Sequence, residues 1–321
     1  MTLLEVRDLN VWYSLDEGGE NHAVRDLSFT LDRGERMGLV GESGCGKTTA
    51  LLALMALLPP SASVSGQVLL DGQDLLAGGE AIARQHRWRD LALVFQGAMN
   101  AFNPVRRIED QIIEPMLTHG TRTSDSARDR ARELLEMVGI TAAAGRRFPH
   151  ELSGGMRQRA MLAMALACEP RVLIADEPTT ALDTMVQAQI LALLTRLSDE
   201  LGLAVLLVTH DLPVVSQVCS RAVVMYAGGL AEAGPVADLF HRPAHPYTRL
   251  LFEATPDLHS DREVVSIPGA PPRLDEPIVG CSFRPRCDVP LEVCSDRAPR
   301  PLSVADNPGH VAACWHNGGA R

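Results

Sequence analysis

The sequence predicts an α/β fold on a mainly parallel sheet, with an inserted α-helical subdomain and a small cysteine-containing C-terminal extension. Three observations predict it. Short apolar runs alternate with helix-length amphipathic runs through most of the 321 residues. From about Pro104 to Ala167 the pattern turns helical, rich in Arg, Glu, Ala and Leu. After Phe252 the chain becomes proline-rich and aperiodic, and four cysteines follow. The expected domains are 1–255, containing a helical subdomain at about 97–168, and an extension, 256–321.

Taken in order, Leu3–Tyr13 and Ala23–Leu31 read as strands joined by the turn-rich "DEGGEN". "ERMGLV" is a short apolar strand that runs straight into a glycine loop. "TTALLALMALL" then has helical length, and "PP" stops it. Val64–Leu70 and Leu91–Phe95 read as further strands. Beyond the helical middle, the strand "RVLIADE" precedes the helix "TMVQAQILALLTRLSDEL". The strand "LAVLLVTH" precedes the helix "DLPVVSQVC". Strands that alternate with helices in this way form a largely parallel sheet.

Composition narrows the function classes. The formal net charge of −10 argues against broad, non-specific nucleic-acid binding, which needs a positive footprint. The longest apolar runs, Ala50–Leu58 and Ala160–Ala167, fall well short of the roughly 20 residues that span a bilayer. The start, "MTLLEVRDLN", has early acids and lacks the basic-then-apolar order of a signal peptide. The chain is expected in the cytosol, or on a membrane only through partners. In that compartment its seven cysteines are not expected as disulfides.

Lys47 is the only lysine among thirty basic residues. It lies in "GESGCGKT", which fits G-x-x-x-x-G-K-[ST] with a strand before and a helix after. Glycines let successive backbone N–H groups turn inward as an anion nest, and the helix start adds positive potential. A lysine is a compact charge on a flexible stem and can sit between β- and γ-phosphates, where the broad guanidinium fork does not fit. The expected phosphate-binding residues are Gly41, Glu42, Ser43, Gly44, Cys45, Gly46, Lys47, Thr48 and Thr49, with Cys45 as loop filler. The Thr48 hydroxyl is expected on Mg²⁺. The fold is then a P-loop nucleoside-triphosphatase core that binds ATP.

Three further stretches agree. "VLIADE" ends a buried strand in two acids, Asp176 to hold Mg²⁺ and Glu177 to orient or deprotonate an attacking water. His210 ends the next apolar strand as a candidate γ-phosphate sensor. In "ELSGGMRQRAMLAMALA", Ser153 can cap a helix whose first turn contains Gly154 and Gly155, leaving N–H groups open to an anion. Two anion sites far apart in one chain suggest a head-to-tail dimer, each ATP lying between the lysine loop of one subunit and the Ser-Gly-Gly helix of the other.

From Leu3 to about Phe252 the chain resembles the ATP-binding subunit of an ABC transporter. Six ordered motifs carry the resemblance: "GESGCGKT", Gln96 in "LVFQ", "LSGGM", "VLIADE", Asp183 in "ALD", and His210. The resemblance implies that Glu177 is the catalytic base and His210 the γ-phosphate switch. It implies that Gln96 contacts Mg²⁺ and the attacking water and links to the membrane subunit. Tyr13 matches the aromatic residue that stacks on adenine. Met156 in the signature, "HPYTRLL" and the tail pattern "IPGAPPRL…GCSFRPRC" resemble the dipeptide/oligopeptide (and nickel) importer branch. "FQGAMNAF" departs from that branch, where an acid and a proline more often follow "FQ". The implied partners are two transmembrane permease subunits, a second ATP-binding subunit or a second copy of this chain, and an extracytoplasmic solute-binding protein. The implied place is the cytoplasmic face of the cell membrane.

Cys281, Cys287, Cys294 and Cys314 are separated by five, six and nineteen residues, unlike the tight pairs of common zinc sites. Four thiolates can hold either Zn²⁺ or a 4Fe–4S cluster. Because some importers of this branch hold an iron–sulfur cluster in a similar tail, the resemblance puts the cluster ahead of zinc. Two other functions compete with peptide import. One is a soluble ABC-type ATPase acting on nucleic acid or the ribosome, disfavoured by the acidic balance and by the lack of a long coiled-coil insertion. The other is a redox-sensing module built on the cysteine tail. Nickel or another small solute is the alternative cargo.

Overall fold

The computed structural model describes residues 1–15, 18–95, 101–180, 182–254, 266–305 and 307–317. In chain order its strands and helices are β1 (Thr2–Ser14), β2 (Glu20–Asp32), β3 (Arg36–Val40), α1 (Lys47–Leu54), β4 (Ala62–Leu70), β5 (Gln73–Asp74), α2 (Gly79–His86) and β6 (Leu91–Val94). Next come α3 (Ile108–Thr118), α4 (Ser124–Met137), α5 (Gly154–Ala165), β7 (Val172–Asp176), α6 (Thr184–Leu201) and β8 (Ala204–Thr209). The last are α7 (Leu212–Val218), β9 (Arg221–Tyr226), β10 (Gly229–Pro235), α8 (Val236–His241), α9 (Pro246–Glu253), β11 (Leu302–Val304) and β12 (Asn307–Ala312).

The chain divides into two compact units that interleave in sequence. One contains 1–31, 37–79 and 209–321, and the other 32–36 and 80–208. The first unit carries the sheet β2-β1-β4-β5 and a second run of strands in the order β11-β12-β10-β9-β3. β3 pairs with β9 in parallel, so that Val40 sits beside Val224 at the point where the chain enters the glycine loop. β10 returns antiparallel to β9, and β12 adds to β10. The extension, aperiodic by its sequence, therefore contributes strands. Only two residues of β10 pair with β12, too few for an alternating pattern to stand out.

In the second unit β8, β7 and β6 lie side by side, all parallel. Every residue of β7 and β8 is buried, as expected of strands covered on both faces. Helices α3, α4 and α5 belong to this unit. In α4 the buried positions Ala127, Ala131, Leu134 and Leu135 recur at helical spacing and form its inward face. Thr123 opens α4 with a capping box closed by Ser126.

The α/β expectation holds, but the sheet is mixed rather than mainly parallel: β3–β9, β6–β7 and β7–β8 pair in parallel, while β1–β4, β4–β5, β9–β10, β10–β12 and β11–β12 pair antiparallel. The helix expected over "TTALLALMALL" is shorter: α1 ends at Leu54. Ala56 takes φ +49, the Leu57 N–H donates to the Leu52 carbonyl at 2.7 Å, and the Ala56 N–H donates to the Ala53 carbonyl at 3.0 Å. This closes the helix as a Schellman turn without its usual glycine, so composition gave no warning. The boundary expected near 255 and the start of the helical subdomain at 97 lie outside the described residues.

Candidate functional site

β3 delivers the chain to Gly41, and Gly46 caps α1 from the left-handed region at φ +101. A Cβ at Gly46 would lie 2.3 Å from the Ala23 carbonyl oxygen, and one at Gly41 the same distance from that of Met225. Both contacts are to backbone, so neither position admits a side chain. No side chain caps the start of α1, which leaves its first N–H groups directed at an anion. Lys47 folds back over the loop as expected. Its Nζ donates to the Gly41 carbonyl at 2.7 Å and to that of Glu42 at 3.0 Å, and the residue is 7% exposed. Cys45 is buried, and burial pushes its thiol pKa up. The Gly228 N–H holds the Cys45 carbonyl at 3.0 Å. Ser43, Gly44 and Thr48 are exposed. This cradle of uncapped N–H groups around a buried ammonium fits a phosphate chain, and the open Thr48 hydroxyl suits a magnesium ligand.

Tyr13, at the end of β1, reaches this loop: its hydroxyl lies 3.4 Å from the Thr49 Oγ1. Its ring is half-buried, leaving a face for a flat base. His210 follows the last residue of β8 and is exposed. Gln96 lies outside the described residues.

In the second unit, β7 ends in Asp176, which is 8% exposed, and the chain then turns through Glu177 at φ +45. A left-handed glutamate is uncommon, and such backbone strain concentrates at functional positions. The Glu177 N–H donates to the Val208 carbonyl at 2.8 Å, and the Thr180 hydroxyl donates to Glu177 Oε2 at 2.9 Å. The first bond fixes the backbone and the second orients the carboxylate. Ser153 caps α5, accepting the Met156 N–H at 3.2 Å, while Gly154 and Gly155 form the first turn. Asp183 caps α6 in the same way, accepting the Val186 N–H at 2.9 Å. The two starts meet: a Cβ on Gly155 would stand 2.7 Å from Val186 Cγ1. Two exposed helix starts thus lie side by side.

Two residues that sequence reasoning did not single out also hold the loop. The Tyr247 hydroxyl accepts the Glu42 N–H at 3.0 Å. Arg286 grips the Glu42 carboxylate with both arms, at 2.7 and 3.0 Å, and this bond raises the guanidinium pKa further. "HPYTRLL" and "FRPRC" were the available signals, but nothing in them points to a partner in the loop.

Cys281, Cys287, Cys294 and Cys314 all lie in the extension, where the Cys281 N–H donates to the Cys294 carbonyl at 2.9 Å. Burial pushes the Cys281 pKa up to about 11, with the neighbouring Cys294 and Cys314 raising it further. Burial likewise raises Cys287 and Cys314, and each also feels Cys294. None of the four is in a disulfide. Among the described residues, no three His, Cys, Asp or Glu form a group that could hold a metal ion. No helix among the described residues is long and apolar enough to cross a membrane.

Comparison with known proteins agrees with this geometry. The profile of the ABC transporter family matches residues 24–180, and that of the oligopeptide/dipeptide transporter C-terminal region matches 231–294. A relative from Sinorhizobium fredii described as a probable peptide ABC transporter ATP-binding protein, y4tR, is 45% identical over 98% of this chain and 95% of its own. The oligopeptide transport ATP-binding protein OppD of Salmonella typhimurium is 42% identical over 98% and 93%. Among solved structures, the dimeric bacterial ABC transporter cassette MJ0796 is 27% identical, covering 73% of this chain and 99% of its own, with a TM-score of 0.65.

Proposed function

The chain belongs to the ABC transporter family, in its oligopeptide/dipeptide branch, and from this we propose that it is the ATP-hydrolysing subunit that drives import of di- and oligopeptides. The observation that carries the reading is the loop itself, with Lys47 buried and its Nζ held by the Gly41 and Glu42 carbonyls beside an uncapped helix start. A loop of that shape binds a triphosphate through backbone N–H groups and one compact cation.

The roles follow from the chemistry of each side chain. Gly41 to Thr49 cradle the phosphates, and the Tyr13 ring stacks on adenine. Thr48, Asp176 and Gln96 hold Mg²⁺, which when bound neutralises charge on the β- and γ-phosphates. Glu177 takes a proton from the attacking water, and its carboxylate is already oriented by Thr180. His210 senses the γ-phosphate. Ser153, Gly154 and Gly155, with Asp183 alongside, present their helix starts to the triphosphate of a facing subunit. The γ-phosphate then joins two chains, and its hydrolysis lets them part.

The chain acts with two permease subunits, a second ATP-binding subunit and a solute-binding protein on the far side, and sits at the cytoplasmic face of the membrane. The relatives' descriptions as peptide and oligopeptide transport proteins support this. In the extension, Cys281, Cys287, Cys294 and Cys314 hold a 4Fe–4S cluster in preference to zinc, a reading that rests on the resemblance of this tail to that of importers in the branch and on four thiols free of disulfides. Such a group would serve as an electron carrier or a structural clamp.

The test is uptake of a labelled tripeptide by cells carrying Glu177→Gln in place of the natural gene. Uptake is expected to fall by about 10²-fold or more, the usual weight of a general base. Undiminished uptake would remove the assignment. Visible absorbance in anaerobically purified chain tests the cluster, and colourless protein with one zinc per chain rejects it.

A further inference from the structure

Glu42 is the acid within the phosphate loop, in the second position of "GESGCGKT". A carboxylate there opposes the binding of a triphosphate unless something neutralises it. The C-terminal extension supplies that group. Arg286 is 5% exposed and places a two-pronged grip on Glu42. Its remaining donors are also engaged. Nε donates to the Pro268 carbonyl at 2.8 Å, Nη1 approaches the Tyr226 hydroxyl at 3.4 Å, and Nη2 approaches the Ile267 carbonyl at 3.5 Å. The guanidinium also lies 5.8 Å from the Tyr226 ring centre.

A second grip acts on the same residue. Tyr247 is fully buried and accepts the Glu42 N–H. Tyr226, Tyr247 and Phe283 pack as one aromatic group, with ring centres 4.6 to 5.4 Å apart. Both the backbone and the side chain of Glu42 are therefore fixed by residues more than 200 positions downstream. A bidentate pair between a buried arginine and a part-buried carboxylate has a defined geometry that a surface pair lacks.

We infer that Arg286 is a positioning residue for ATP: it neutralises Glu42 and fixes the start of the phosphate loop, so that the C-terminal extension sets nucleotide affinity. The inference rests on the loop being a triphosphate cradle. Without Arg286, Glu42 becomes a part-buried, uncompensated charge beside the phosphates. Loss of affinity should then come from Glu42, and neutralising that residue should restore binding.

The experiment titrates the full chain with the magnesium complex of a non-hydrolysable ATP analogue, with melting temperature recorded in parallel. Arg286→Ala is expected to weaken binding about tenfold. Arg286→Lys, which keeps the charge but loses the fork, should lie between it and the parent chain, and serves alone if the alanine variant does not fold. Adding Glu42→Gln to either variant should recover most of the lost affinity. A merely structural role would lower the melting temperature without that recovery. Binding that stays within about twofold of the parent in the folded variants overturns the inference, as does a loss that Glu42→Gln leaves untouched. Lys47→Ala is the control for the cradle. If the parent chain itself fails to bind the analogue, the cradle reading falls and takes this inference with it; if the parent binds and Lys47→Ala does not, the result bears on Arg286 alone.

Discussion

At Lys47 the ammonium is held by two carbonyls inside a 7% exposed position, which explains why the chain keeps one lysine against twenty-nine arginines. Lys47→Arg retains the charge but forces a five-donor planar group into a space whose acceptors are two carbonyls and the more distant Cys45 sulfur. Affinity for a magnesium-bound ATP analogue is expected to drop at least about tenfold, read by titration with the melting temperature little changed. Affinity equal to the parent's contradicts this. Site residues whose roles are local were legible in the sequence. Lys47 acts on carbonyls five and six positions away, and Ser153 and Asp183 each cap an N–H three positions on. Arg286 and Tyr247 were not legible. Their partner lies 244 and 205 positions away, and no local pattern encodes a contact at that distance.

Among the elements, α5 and α6 begin side by side, and Gly155 makes this approach possible. Gly155→Ala would set a methyl group 2.7 Å from Val186 Cγ1 and push the two starts apart. We expect about a tenfold loss of ATP hydrolysis, with partial recovery in Gly155→Ala/Val186→Ala, because the clash is with a side chain that can be shortened. Failure of the second change to recover activity would detach the loss from this contact. The long elements were legible because periodicity and caps agree: α6 runs from the Asp183 cap to Gly202 in the left-handed region at φ +63. The end of α1 was not, because an alanine occupies the left-handed position where the sequence shows no stop until "PP". β12 was not either: one partner, β10, comes from a distant part of the chain, and the other, β11, is only three residues long.

At the scale of the whole molecule, the extension shares a buried polar network, as well as strands, with the rest of the first unit. Glu232, fully buried, accepts the N–H groups of Ala244 and His245 and bonds His310 at 2.7 Å. His245 is buried, its Nδ1 accepts the Tyr247 N–H, and burial holds its pKa down from 6.5 to about 4. The unfolded chain therefore takes up a proton near pH 6.5 that the folded chain refuses until about pH 4. Stability from this group is present above about pH 6.5 and is lost as pH falls towards 4, by up to about 3 kcal/mol. Denaturant melts should show a slope across that window that flattens in His245→Gln; an unchanged slope removes His245 as its source. The α/β class was legible from alternating runs, whereas the two interleaved units were not, since each gathers segments far apart in sequence.

The account rests on two chains clasping one triphosphate. Its most direct test is the solution mass of the Glu177→Gln chain, alone and mixed with its related ATP-binding subunit, measured by light scattering. The account predicts a two-chain mass in magnesium ATP and a one-chain mass in magnesium ADP. A one-chain mass under every condition would contradict it.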